Sequence, residues 1–139
     1  MNQNIKLLNG FYFLKWNLSI DEIEESLKKN RVDYKFKIMK INPEFELVYN
    51  EMETFLFFDE DKFYNAQQYK RFDINDQKNS DIFFQNILFD LKKEYGDPEK
   101  INEDASRNLK EYLWTGDFTI ISLCYFYKSD EIQLHWSRK

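Results

Sequence analysis

The residue types best suited to catalysis are scarce in this chain, which has one cysteine, Cys124, and one histidine, His135. Both lie in the stretch SLCYFYKSDEIQLHW, residues 122–136, where two strand-like runs are joined by a short polar turn. A thiol beside an imidazole could act as a nucleophile and its base. A two-residue turn would place Cys124 opposite His135, whereas a three-residue turn would place it opposite Leu134, on the other face. The sequence leaves both registers open.

We predict that this cysteine and this histidine are structural. The histidine shares a strand face with Glu131, Gln133 and Ser137, which predicts that its ring points to solvent. No Asp or Asn is placed to orient the imidazole, and no glycine-rich or helix-terminal element supplies an oxyanion site. A free cysteine is most often a small buried hydrophobic residue. An enzyme that uses carboxylates, or Cys124 with His135, is the alternative.

Metal and cofactor sites have equally little support in the sequence. One histidine and one cysteine do not make a four-ligand zinc site. The segment that starts at Asp59 has the Asp-x-Asp spacing of a calcium loop, but Tyr64 stands where glycine is needed and Lys70 where the bidentate glutamate belongs. With three glycines in the chain, no phosphate loop or dinucleotide fingerprint can be written. We therefore expect no metal and no cofactor.

Composition bounds the class of protein. The net charge of −5 argues against a nucleic-acid partner, because phosphate neutralisation needs clustered Lys and Arg. The longest nearly apolar run, 118–127, is about half of the ~20 residues that a membrane helix needs. A single cysteine forms no internal disulfide, which agrees with a reducing compartment. We expect a cytoplasmic protein with no membrane span.

Two helices are predicted from their end signals. In the first, Ser19 and Glu22 form a capping box, and Ile20, Ile23 and Leu27 give an apolar stripe. The second runs over residues 81–95, with Ser80 as its N-cap, Gly96 after its last residue and a broad apolar face.

Strands are predicted from alternation and turn residues around these helices. The expected runs are a first strand before residue 19, then 34–38, 44–49, 54–58 and 62–74, and, after a polar connection over 97–108, residues 110–114, 118–127 and 131–137. Hairpin-sized connections join them, which excludes a doubly wound fold.

These elements predict one α+β domain over residues 1–139, with an antiparallel sheet of about seven to eight strands covered by two helices. The halves, about 9–76 and 78–139, each contain a helix followed by a meander, which is compatible with an α-β-β-β duplication. This order resembles that of the beta-lactamase inhibitor protein and of the small assembly lipoproteins of the bacterial outer membrane. No motif of either family is present, and the lipoproteins' modified cysteine has no counterpart. The resemblance implies a protein-binding sheet face.

Charge is distributed unevenly along the chain. Residues 42–61 contain seven acids and no Lys or Arg, and Glu44 and Glu46 alternate with apolar residues on one strand. Such a local negative field attracts a basic partner, although the same pattern is typical of a soluble sheet face that resists aggregation. The predicted partner-binding residues are Glu44, Glu46, Tyr49, Glu53, Asp59, Asp61 and Tyr64.

Ile82 and Phe89 lie seven residues apart on the side of the second helix opposite its main apolar stripe. We expect the 97–108 connection to fold over them; the alternative is contact with another molecule. Together these observations predict a small acidic protein-binding module, such as an immunity or inhibitor protein that occludes a basic toxin or nuclease. A self-associating structural module, through its sheet edge or through these two residues, is a further alternative.

Overall fold

The computed structural model describes residues 4–7, 11–39, 42–47, 52–73 and 75–139, and for 4–7, 11–13, Met39 and Asn42 it describes the backbone alone. These residues form two helices and ten strands. Their bounds are β1 Asn4–Leu7, β2 Phe11–Lys15, α1 Ile20–Lys29, β3 Tyr34–Met39, β4 Asn42–Leu47, β5 Glu53–Asp59, β6 Lys62–Arg71, α2 Gln77–Tyr95, β7 Lys100–Asp104, β8 Leu109–Thr115, β9 Thr119–Phe126 and β10 Glu131–Arg138.

Helix α1 begins at the predicted capping box. The Glu22 backbone N–H donates to the Ser19 hydroxyl oxygen, and the Ser19 N–H donates to the Glu22 carboxylate, each at 3.1 Å. These bonds satisfy two N–H groups that a bare helix end would leave without partners. Ile23 and Leu27 are fully buried, so the apolar stripe faces the core as predicted.

Helix α2 begins four residues earlier than the sequence predicted, with Asp76 and not Ser80 at the N-cap position. Its first residue is Gln77, so Ser80 is an interior residue and not the N-cap. The Ser80 side chain is fully buried, 2.8 Å from the Tyr125 hydroxyl and 3.1 Å from the Asp130 carboxylate to which it donates. A serine that resembles a helix start in sequence therefore serves a tertiary polar contact.

Eight of the strands form one antiparallel sheet in the order β3-β4-β5-β6-β10-β9-β8-β7. Each helix is followed by a four-stranded meander, and the last strands of the two meanders, β6 and β10, pair at the centre. The first half has the four strands that the sequence predicted after the first helix, whereas the second half has four where three were predicted. The repeated order is therefore one helix and four strands, not the α-β-β-β unit. Strands β1 and β2 form a separate two-stranded sheet.

The additional strand in the second half is β7, which lies in the segment predicted to be a polar connection. Lys100 pairs with Leu113 and Asp104 with Leu109, and β7 is an outer strand of the sheet. Its side chains are partly or fully exposed, with Ile101 54% exposed. The sequence did not predict β7, because an edge strand with so little buried surface has almost no alternation of apolar and polar residues.

One face of the sheet, with both helices, forms the hydrophobic core. Phe84 of α2 lies against Tyr112 and Tyr125, with ring centroids 5.6 and 4.6 Å apart. The sheet residues of this core are Phe45, Leu47, Leu56, Phe58, Phe63, Ala66, Tyr112, Trp114, Ile121, Leu123, Tyr125, Ile132, Leu134 and Trp136. We call this the covered face and the opposite one the open face.

The 97–108 connection does not cover the outer side of α2, contrary to the prediction. Ile82 and Phe89 are 49% and 67% exposed. The reason is that residues 100–104 are hydrogen-bonded into the sheet as β7 and are not free to fold back over the helix. Among the described residues, neither helix is both long enough and apolar enough to cross a membrane.

Candidate functional site

A row of ring side chains crosses the open face of the sheet. Phe57 and Phe55 stack in β5 with centroids 6.5 Å apart, Phe55 meets Tyr69 of β6 edge-on at 5.8 Å, and Tyr69 meets His135 of β10 edge-on at 6.1 Å. All four side chains are partly exposed. We call these residues the aromatic row; none of them belongs to the hydrophobic core.

Strand alternation places the aromatic row on this face. In β5, Thr54, Leu56 and Phe58 are buried on the covered face, so Phe55 and Phe57 project from the other side. The sequence did not reveal this division, because TFLFF is apolar at four of its five positions and has no polar residue to mark the outer face. Sequence reasoning therefore did not predict that two phenylalanines of this strand, Phe55 and Phe57, lie outside the core.

Three of the predicted acids flank the aromatic row. Strand pairing places Glu44 opposite Phe57, Glu46 opposite Phe55 and Glu53 opposite Tyr69. These acids therefore share the open face, as the sequence predicted for Glu44 and Glu46.

The pKa of Tyr69 reflects its burial and the negative charge around the aromatic row. Its burial, together with the nearby carboxylates of Glu131 and Glu44, raises the pKa of the Tyr69 hydroxyl. A cationic group placed beside this ring would therefore interact with its π-system and with more than one carboxylate.

The acidic field is weaker than the sequence suggests, because β3 lies next to β4 and contributes lysines. Lys35 pairs with Glu46 and Lys37 with Glu44 in the strand register, and the Lys37 Nζ lies 2.7 Å from the Glu46 carboxylate. This hydrogen bond raises the pKa of Lys37 and lowers that of Glu46. A segment with no basic residue in sequence is thus partly neutralised in space.

Three further predicted partner-binding residues are described by the structure, and none of them joins the aromatic row. Asp61 lies in the β5–β6 turn, where its carboxylate accepts from the Ile20 N–H at 3.0 Å and so caps α1. Asp59 is exposed and pairs with Lys62 at the same hairpin. Tyr64 is 37% exposed at the point where the β5–β6 register shifts, and Tyr49 lies outside the described residues.

Cys124 and His135 share the open face but take neither of the two registers considered. Cys124 pairs with Gln133 and His135 with Ser122, because four residues, 127–130, connect β9 to β10. The His135 Nε2 lies 3.0 Å from the Gln133 side-chain oxygen, and no hydrogen bond joins the ring to the thiol. The ring lies on the outward face, as predicted, but it is only partly exposed.

The environment of Cys124 does not favour the thiolate. Cys124 is 7% exposed, and its Sγ lies 3.7 Å from a Glu111 carboxylate oxygen that also accepts from Ser122 at 2.8 Å. Burial is the main cause that raises the Cys124 pKa, and the Glu111 charge adds to it. Burial also lowers the pKa of His135. A neutral thiol beside a neutral imidazole is the opposite of an activated pair.

Glu111 is the centre of a small polar cluster on the same face. Its second oxygen accepts from the Asn102 side chain at 3.3 Å, so β7, β8 and β9 are joined through one carboxylate. Within the ranges that the structure describes, no group of three or more His, Cys, Asp or Glu residues is arranged to hold a metal ion. The cluster ties strands together by hydrogen bonds between its own members.

In comparisons with known proteins, no family model matches this chain, and neither a curated protein nor a solved structure matches it.

Proposed function

We propose that this protein is a small acidic binding module of the cytoplasm that occludes a basic protein partner, as an immunity or inhibitor protein occludes a toxin or a nuclease. The observation that carries the proposal is the aromatic row, Phe57, Phe55, Tyr69 and His135, which lies outside the core and beside Glu44, Glu46 and Glu53. The resemblance inferred from element order also implies binding through a sheet face.

Interface physics supports this site. Aromatic residues are enriched at the centres of protein interfaces, where a few of them supply most of the binding energy, and charged residues concentrate at the rim. Phe55 and Phe57 gain contact area on binding without the entropy cost of ordering long side chains, because a ring has only two rotatable bonds. The flanking acids then steer and orient a basic partner.

Two roles are distinguished on this face. The rings provide affinity, since they remain partly exposed in the free protein and become buried on binding. Glu44 and Glu53 provide attraction at a distance, while Glu46 is already bonded to Lys37 and contributes less. Asp61, which caps α1, has a structural role and is not part of the proposed contact.

The test is affinity capture from the native host at low and high salt, with the wild type, a Phe55→Ser/Phe57→Ser variant and a Glu44→Lys/Glu53→Lys variant. We expect one basic protein to bind the wild type, to be lost with the ring variant and to bind about ten-fold more weakly to the charge variant. High salt should weaken the wild type more than the charge variant.

The matched control is Phe89→Ser, which removes an exposed phenylalanine from the outer side of α2. This variant should retain the partner fully. Capture that survives both open-face variants, or that is lost with Phe89→Ser, would contradict the proposed site. Recovery of no basic protein would contradict the function itself.

A further inference from the structure

The two outer strands of the sheet are β3 and β7. Within the described ranges, no strand pairs with the outer side of either one. Both also expose apolar side chains on the covered-face side: Ile38 is 67% exposed and Phe36 44% on β3, and Ile101 is 54% exposed on β7. Exposed edges of this kind are templates for pairing with another chain.

The sheet geometry makes these two edges fit each other. The sheet has eight strands that are all antiparallel to their neighbours, so β3 and β7 run in opposite directions. A second copy that is shifted along the sheet without being turned over therefore presents β7 antiparallel to β3. The covered faces of both copies then lie on the same side, and the sheet continues from one molecule into the next.

We propose that this chain self-associates head to tail through these edges, with β3 of one copy pairing antiparallel with β7 of the next. In the register that uses all of β7, Lys35 lies opposite Asp104 on the open-face side and Ile38 lies opposite Ile101 on the covered-face side. This register pairs opposite charges and apolar residues at once.

The neighbouring registers are worse. A shift of two residues in one direction places Lys37 opposite Lys100, and a shift of two in the other direction leaves Lys100 and Ile101 beyond the end of β3. A shift of one residue would pair the covered-face residues of one strand with the open-face residues of the other, so the side chains of the two copies would no longer match by face. A symmetric pairing of two β3 strands with their faces aligned sets Lys35 and Lys37 against lysines, which disfavours it.

The contact is heterologous, because it joins the β3 edge of one copy to the β7 edge of the next. Each copy therefore keeps one free edge for a further copy, and the assembly grows unless it closes into a ring. This edge-to-edge contact leaves the open face uncovered. The aromatic row would be repeated on one side of the assembly, but the self-association does not depend on the proposed partner.

The test is sedimentation velocity over protein concentrations up to about 1 mM, a range suited to weak contacts. We expect the average mass to rise with concentration and to pass that of a dimer. Ile38→Asp alone and Ile101→Lys alone should each raise the concentration needed for association by about ten-fold or more. The double variant Ile38→Asp/Ile101→Lys should restore it, because an ion pair then replaces the apolar pair. An equimolar mixture of the two single variants should restore it as well.

Both substituted side chains are exposed, so these variants should keep the unfolding midpoint of the wild type, which is measured alongside. The matched control is Phe89→Ser, since Phe89 is as exposed as Ile38, at 67%. It should leave association unchanged. Three results would overturn the proposal: a strict monomer at every concentration, a species that stops at the dimer, or weakening by Phe89→Ser equal to that by Ile38→Asp.

Discussion

The covered and open faces belong to the same eight strands, yet they differ in almost every physical respect. On the covered face, Trp136, Phe45 and Leu123 are essentially inaccessible to solvent. On the open face, Phe55 and Tyr69 occupy equivalent alternate positions and stay partly exposed. The difference is that α1 and α2 pack on one side only. An aromatic residue in this sheet stabilises the fold or remains available for contacts according to its face.

The sharpest way to break this comparison is to truncate one aromatic residue on each face. Trp136→Ala should lower the free energy of unfolding by about 3–5 kcal/mol, because it opens a cavity in the core and leaves the Gln68 side chain without its indole donor at 3.2 Å. Phe57→Ala should cost about 1 kcal/mol, since it removes only cross-strand contacts. Urea unfolding followed by circular dichroism measures both. Equal losses would show that the open face is as buried as the core.

A smaller effect is expected at the polar contact between α2 and the sheet. Ser80→Ala should cost about 1–3 kcal/mol, because it removes a donor from the Asp130 carboxylate, which is 2% exposed, and a partner from the Tyr125 hydroxyl. Ser129→Ala, at an exposed loop position, is the control and should cost less than about 0.5 kcal/mol. Urea unfolding of the two variants should separate them clearly; similar midpoints would mean that this network does not hold α2.

The smallest expected effect is a change of stability with pH that depends on His135, a residue of the open face. Burial lowers the pKa of His135 in the folded protein, and the charge of Glu111 only partly opposes this. The unfolded chain, with a histidine pKa of about 6.5, therefore binds the proton first as pH falls. Stability should be unaffected by this group above that value and should decline as pH falls from it toward the lower folded pKa.

The measurement is the unfolding free energy of the wild type and of His135→Gln at about pH 7.5 and about pH 5.5. The wild type should lose more stability than the variant over this interval, because glutamine does not titrate. A variant that declines as steeply as the wild type would mean that the His135 ring is solvated as fully on the open face as in the unfolded chain.

Much of the fold was predicted from the alternation of apolar and polar residues and from the residues that mark helix ends. Glu44 and Glu46 alternate with buried neighbours, which put them on the outer face, and the Ser19 capping box marked the start of α1. The same rules failed where no contrast was present. β7 is too exposed to show alternation, and Ser80 resembled an N-cap although its hydroxyl bonds across to β9 and to Asp130.

The candidate site was predicted only in part, for a related reason. A charge run in sequence says nothing of the strand that will lie beside it, so the neutralisation of Glu46 by Lys37 was not visible. The role of Asp61 was equally hidden, because its bond joins residues 41 positions apart. The aromatic row was missed, since Phe55 and Phe57 look in sequence like any other core residues of a strand.

The sequence by itself determined the class of fold, the approximate positions of both helices and the apolar stripe of α1, because these depend on local periodicity and on hydrogen bonds between near neighbours. Only the tertiary structure decided the strand order, the register that pairs Cys124 with Gln133 and not with His135, and the placement of Phe55 and Phe57 on the open face. Those features depend on contacts between distant segments, whose free energies no short stretch of sequence contains.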